Sequence, residues 1–358
     1  MNMKLLNFTA ALILVVLVFY LLQVGQALLL PLVIAITLWY LINTLAHTFG
    51  RVAVAGIKLP RPLCLAAAIL TFLLVIWSLI TFFSARVDEV REVLPTYQTN
   101  LTIRLENLQA SLGGWLEMLP FMDMSAVEER GITQIIIDRI DLPGYGESLA
   151  LSFGNIVGSS VLILIYILFL FLEQGYFTQK ISALTVKGSQ EEEVRQIINQ
   201  IRNDIRKYIS IKMFTSALTG TLSYLFLLSA GVDFPGVWGL IIFLLNFIPT
   251  VGSIVATIFP AMIALAQSDG YTLLLLVLLG IGTLQICIGN ILEPRLMGRS
   301  FNLSPIVILL NLVLWGYIWG IPGMFLCVPF LIIITIVLSH FPRTRPIAIM
   351  LSSDGNLQ

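Results

Sequence analysis

Of the chain's 358 residues, 58% are hydrophobic and only 11% are charged, well below the roughly 25% charged of soluble domains, so a soluble globular protein is excluded and an integral membrane protein is read. Twenty basic and twenty acidic residues cancel formally, which gives no basic surface for nucleic acid. Cys64, Cys287 and Cys327 lie far apart in apolar runs, and His47 and His340 belong to no HExxH pattern, so no disulfide framework, metal centre or cofactor is expected.

Lys4 precedes the apolar run Leu5–Leu22. Its length, and the lack of a small-x-small cleavage site after it, favour a retained first span over a signal peptide. Ala27–Leu45 is long enough to cross again, since a span needs about 20 apolar residues. A loop with Arg51, Lys58 and Arg61 follows, and Leu63–Phe83 crosses back. Residues 1–83 form the N-terminal membrane part.

Residues 84–150 differ in kind, with five basic residues facing eleven acidic ones. Val90, Leu94, Tyr97, Leu101, Leu105, Leu108 and Leu112 recur at three- and four-residue steps, the pattern of an amphipathic helix. A second helix is expected over Ser125–Ile140, capped by Ser125 with Glu128 and ended by Pro143-Gly144. Such a water-facing helical domain must bury its stripe against the membrane body or a neighbouring subunit.

Residues 151–177 carry the next span, ending in Glu173. Within 178–212 the chain turns basic, and Val194, Ile198, Ile201, Ile205 and Tyr208 make a seam that fits either helix pairing or a membrane surface. The core, 213–342, opens with the span Met213–Ala230. Val237–Ala266 is long and interrupted by Asn246, Pro249 and Gly252, which fits a re-entrant hairpin or a single kinked span. Thr272–Gly289 leads to a second interruption, where Asn290, Glu293, Pro294, Arg295, Gly298 and Arg299 stand together. Pro294 removes a backbone donor and clashes with the preceding turn, so the helix is expected to break there. Leu303–Trp319 and Met324–Leu338 form a last pair around Gly320-Ile-Pro-Gly323, and 343–358 is a polar tail. Trp315, Tyr317 and Trp319 read as an interfacial belt. The fold class is therefore all-α and polytopic, with two broken or re-entrant segments and a small extramembrane helical domain.

With both termini in the cytoplasm and 237–266 entering and leaving on one side, fifteen of the twenty basic residues fall inside, as the positive-inside rule asks. A single crossing would put the last four arginines outside.

No GxxxxGK[ST] loop and no GxSxG elbow occurs, so the residues offer neither an ATP-driven pump nor a hydrolase, and no enzyme is read. Transport needs only broken helices, a few polar groups at depth and glycines. Charges beside a break in a membrane helix are a functional-site hypothesis. The candidate path is Asn246, Pro249, Gly252, Gln285, Asn290, Glu293, Pro294, Arg295, Gly298 and Asn311. The asparagines can bond a polar solute or freed carbonyls, and Glu293 with Arg295 can form an ion pair that opens and closes. Gln285 and Asn311, on either side of the break, can line one space. An ordinary cytoplasmic loop is the competing reading of the charged stretch.

NFIPTVG with Pro260, then GNILEPRLMGRSFNLSP and WGYIWGIPGMFLCVP, resemble the signature of the autoinducer-2 exporter family of bacterial membrane proteins. The matching positions include Asn246, Pro249, Gly252, Asn290, Pro294, Gly298, Leu303, Pro305, Gly316, Gly320, Gly323 and Pro329. The resemblance implies export of small signalling molecules such as autoinducer-2 in some members and cation/proton antiport in others. It further implies homo-oligomers, with the pentamer as the expected form, in the bacterial plasma membrane. The expectation is thus a multi-pass inner-membrane exporter of a small polar solute that hydrolyses no ATP. The alternatives are a monovalent cation/proton antiporter using Glu293 or Glu173, and a membrane scaffold recruiting partners through its outer domain and basic helix.

Overall fold

The computed structural model describes residues 3–51, 60–116, 160–176, 179, 189–298 and 302–355. The helix expected over Ser125–Ile140, the Pro143-Gly144 stop and Arg299 lie outside the described residues. Among those described, the chain is helical throughout, with one isolated bridge between Leu303 and Ser352. The helices are α1 (Met3–Val24), α2 (Gln26–Arg51), α3 (Arg61–Leu116), α4 (Ser160–Tyr176) and α5 (Ser189–Ala230). They continue as α6 (Pro235–Leu245), α7 (Val251–Gln267), α8 (Thr272–Gln285), a π-helical stretch Ile286–Leu292, α9 (Glu293–Met297), α10 (Pro305–His340) and α11 (Arg345–Leu351). Among the described residues, five stretches are long and apolar enough to cross a membrane: Gln26–Gly50, Arg61–Arg86, Glu192–Ala230, Thr272–Met297 and Pro305–His340. Helices satisfy their own backbone groups, which is what hydrocarbon demands. The protein is all-α and polytopic.

Two expected helix ends are absent. The helix expected to end near Phe83 continues unbroken to Leu116 through Pro95. The basic helix and the span after it are one helix, Ser189–Ala230. The expected polar tail contains α11 and an ordered strap: Ser304 N–H donates to Leu351 O at 3.0 Å and Ser353 N–H to Asn302 O at 2.9 Å.

The chain divides into two compact units. The first comprises Met1–Leu74, Val157–Met213 and Pro294–Gln358. In it Asn311 Nδ2 donates to Cys327 O at 2.5 Å, although sixteen residues of straight helix would separate them by about 24 Å. The chain therefore doubles back within α10. The turn is Gly320, at φ 64° and ψ −145°, a region that a Cβ makes very costly. Folding back puts Trp315 and Trp319 inside rather than in a belt: they are 7% and 3% exposed and pack against Phe330, Trp319 edge-on, while Tyr317 remains 78% exposed. Trp319 Nε1 donates to Leu22 O at 3.1 Å and so fixes α1 on this hairpin.

The second unit comprises Val75–Ile156 and Phe214–Glu293. At its centre α6 and α7 form a hairpin. Asp233 N–H donates to Gln267 Oε1 at 2.9 Å and Gln267 Nε2 to Gly231 O at 2.7 Å, so the hairpin's two ends meet and a single kinked span is excluded. With 11 and 17 residues, its arms run about 16 and 25 Å, each short of a hydrocarbon core of about 30 Å. A Cβ on Gly252 would lie 1.9 Å from Leu245 O, so only glycine lets the arms leave the turn this close. Gly220 and Gly239 likewise bring α5 against α6. Leu227, Val232, Ile242, Ala256, Ala261, Ala264, Val277 and Ile281 fill the interior.

The extension of α3 is tied to the hairpin's base. Tyr97, Leu265 and Ala266 are buried together, with Val93 and Phe234 packed on them. Asn100 Nδ2 donates to Ala266 O at 2.9 Å, and Arg104 Nη2 pairs with Asp269 Oδ1 at 2.9 Å. Tyr97, on the same stripe, donates to the Asp233 carboxylate. Burial, and then that carboxylate, push the Tyr97 phenol above the usual tyrosine range.

Candidate functional site

α5 enters the second unit with a polar stripe. Thr215, Thr219 and Ser223 recur at four-residue steps with Ser216 beside them, and all four are fully buried. This spacing sets them on one face of the helix. Thr219 returns its hydroxyl proton to Thr215 O at 2.8 Å, a common way to satisfy a hydroxyl in an apolar span.

Both interruptions of the core present a polar group to this face. At the hairpin tip, α6 ends at Asn246, which is 3% exposed and donates from Nδ2 to Ser216 Oγ at 3.0 Å. Pro249 and the left-handed Thr250, at φ 59°, turn the chain beyond it. At the end of α8, Thr215 Oγ1 donates to Glu293 Oε2 at 3.2 Å. Neighbouring hydroxyls on α5 thus receive one interruption each.

The second interruption takes a form that differs from the expected break. The chain stays helical across it but widens to a π-helix over Ile286–Leu292, and Glu293 N–H reaches back to Ile288 O. Pro294 follows at the second position of α9. The wider turn relieves the clash of its ring with the preceding carbonyls, and the missing donor falls at the junction where the bonding pattern changes. Gly298, at φ 60°, ends the segment with its N–H on Pro294 O at 2.9 Å.

The expected path residues therefore separate into groups. Asn246, Gly252 and Gln285 are buried, whereas Pro249 and Glu293 are half-buried. Asn290, Pro294, Arg295 and Gly298 are exposed. Glu293 is oriented by the Thr215 hydroxyl, on another helix from the exposed Arg295. Asn311 is spent on the Cys327 carbonyl inside the α10 hairpin. Glu173 is exposed near the end of α4. The stripe Thr215–Ser223 was absent from the expectation, although its four-residue spacing with Gly220 is visible in MFTSALTGTLSY.

Residues 9–343 match the family described as AI-2E family transporter. The AI-2 transport protein TqsA of Escherichia coli is 29% identical over 328 residues, covering 90% of this chain and 88% of that protein. A protein of Borreliella burgdorferi, named only for a presumed role in transport, is 30% identical over 252 residues, 69% of each chain. YhhT of Escherichia coli, named in the same general way, is 26% identical over 269 residues, 75% of this chain and 73% of that one.

Proposed function

The chain belongs to the AI-2E transporter family, and from that premise we propose that it exports a small polar solute without hydrolysing ATP, through a path lined by Thr215, Ser216, Asn246, Gln285 and Glu293. It is a multi-pass bacterial membrane transporter and not an enzyme. One observation carries the finer reading: both interrupted segments aim a polar side chain at the same buried stripe of α5. Interrupted helices beside polar side chains are how carriers offer hydrogen bonds at depth. The hairpin α6–α7 is the moving part of this proposal. Shifting its tip breaks the Asn246–Ser216 bond and exposes the stripe to one side of the membrane at a time.

Because TqsA is named for AI-2 transport, AI-2 is the first solute to test. The proposed protein is a homo-oligomer with both termini in the cytoplasm. Cells lacking the protein should retain more AI-2 than cells producing it, and Asn246→Leu should behave like the deletion. Equal internal and external AI-2 in all three strains would remove AI-2 as the solute, and equal profiles of every small polar metabolite would remove export.

Cation/proton antiport has one observation in its favour, the Glu293 carboxylate held by Thr215 at the end of a span. It requires that vesicles carrying the protein release a preset pH gradient on addition of sodium or potassium, and that Glu293→Gln abolish the release.

A further inference from the structure

Among the described residues, three buried side-chain polar groups in the second unit have no hydrogen-bond partner: Ser223 Oγ on α5, Trp238 Nε1 on α6, and both amide atoms of Gln285 on α8. Gln285 is 7% exposed and Ser223 is fully buried. Leaving such groups unpaired forfeits the hydrogen bonds that water gave them in the unfolded chain. Packing contacts show that they share one depth. Gly239 lies against Tyr224 Cβ and Gly220 O, and further along Ser216, four residues before Gly220, meets Asn246, seven residues after Gly239, so Trp238 stands within about one turn of Ser223. On the other side of α5, Phe226 reaches Gly280 and Thr215 reaches Glu293. Interpolating between these two contacts puts Gln285 within a turn of Ser223. Leu227, Ile242 and Ile281 of the apolar interior each stand one helical turn from one of the three groups. The result is a polar layer inside an apolar cluster.

The chemistry of the layer is uncharged. No residue of 213–232, 235–267 or 272–292 is acidic or basic, so a bare cation at this depth would face no countercharge. Its donors and acceptors are an indole N–H, an amide and a hydroxyl.

We propose that Ser223, Trp238 and Gln285 form a binding layer for an uncharged solute carrying hydroxyl or amide groups, distinct from the Glu293 end of the path. This rests on the transporter reading and names the class of solute that the path selects. A solute supplying a donor and an acceptor side by side satisfies the Gln285 amide as it passes, and the bond to Ser223 or Trp238 fixes its orientation.

The test has a stability arm and a flux arm. Replacing an unsatisfied buried amide by an apolar side chain of similar size removes its desolvation cost, so Gln285→Leu in the purified full chain should raise Tm by about 2–4 °C, with Ser223→Ala also raising it. In proteoliposomes, light scattering would follow entry of glycerol, ribitol and urea, while a trapped pH dye would follow sodium- or potassium-driven proton release. Wild-type protein should pass at least one uncharged probe, and Gln285→Leu and Trp238→Phe should slow it at least tenfold. A lower Tm in Gln285→Leu would mean that the amide is structurally bonded and would overturn the inference, as would unchanged flux in that variant. Passage of none of the uncharged probes would also overturn it. Proton release by sodium in that same preparation would leave the transporter reading standing, whereas no flux of any kind would remove both.

Discussion

At the scale of single residues, the hairpin tip shows how a side chain that is missing can matter as much as one that is present. Asn246 and Gly252 stand six positions apart in NFIPTVG; the first closes α6 onto Ser216, and the second lets α7 start against Leu245. Both were legible in the sequence, because an amide and a glycine beside a proline in an apolar run have few other uses. Thr215 and Ser216 were not, since small hydroxyls in a span also serve helix packing and only the partner side reveals the difference. Asn290 looked equivalent to Asn246 but is exposed, because it stands two residues beyond the buried Ile288 and so on nearly the opposite side of the helix. A methyl at position 252 would meet a backbone carbonyl, which cannot move aside as a flexible side chain can. Gly252→Ala should therefore destabilise the protein by about 1–3 kcal/mol and lower export together with Tm. Thermal unfolding in detergent checks this, with Gly270→Ala as the comparison, since nothing lies within 4 Å of a Cβ there.

At the scale of elements, the π-helical stretch explains why an expectation built on proline alone was incomplete. Pro294 does forbid a regular helix, but the chain has a second remedy besides breaking: it adds a residue to the preceding turn, so that the ring and the absent donor are both accommodated. Sequence carries no separate signal for that choice. The consequence for Glu293 is geometric. One extra residue per turn rotates everything after Leu292 by roughly 100° relative to a continuous α-helix, and in this rotated setting the carboxylate meets Thr215. With Pro294→Ala the donor returns and the α-helical pattern is open to the segment. The expected outcome is retained helicity by circular dichroism, with Tm unchanged or raised, and export reduced at least tenfold because Glu293 no longer points at α5. Full export in this variant would show that the widened turn has no part in the path. The long α3 makes a similar point. Its apolar stripe was legible, and at Tyr97 it does bury, with Val93 from outside the expected stripe packed beside it, but its continuity with the span Arg61–Arg86 was hidden by the change in composition near residue 84.

For the whole molecule, the decisive fact is that the chain returns after 34 to 36 residues to where it started, as the Asp233–Gln267 and Gln267–Gly231 bonds show. A hairpin of this kind does not change the side on which the following helix begins. Every later element therefore has the opposite orientation from the one a simple count of apolar runs would assign. Charge supports the same assignment, since it keeps Arg295, Arg343 and Arg345 on the side of the basic residues in 195–212, where the positive-inside rule places them. Single cysteines, introduced after Cys287→Ser, can test this with a maleimide that cannot cross the membrane. Ser229 and Gly270 flank the hairpin and are exposed, as are Asn203 and Arg343. In intact cells Ser229→Cys and Gly270→Cys should both label, while Asn203→Cys and Arg343→Cys should label only after the membrane is opened. Labelling of Ser229→Cys and Gly270→Cys from opposite sides would turn the hairpin into a crossing. It would also place Asn246 and Glu293 at opposite ends of the path, and with them the shared stripe on α5 would lose its role.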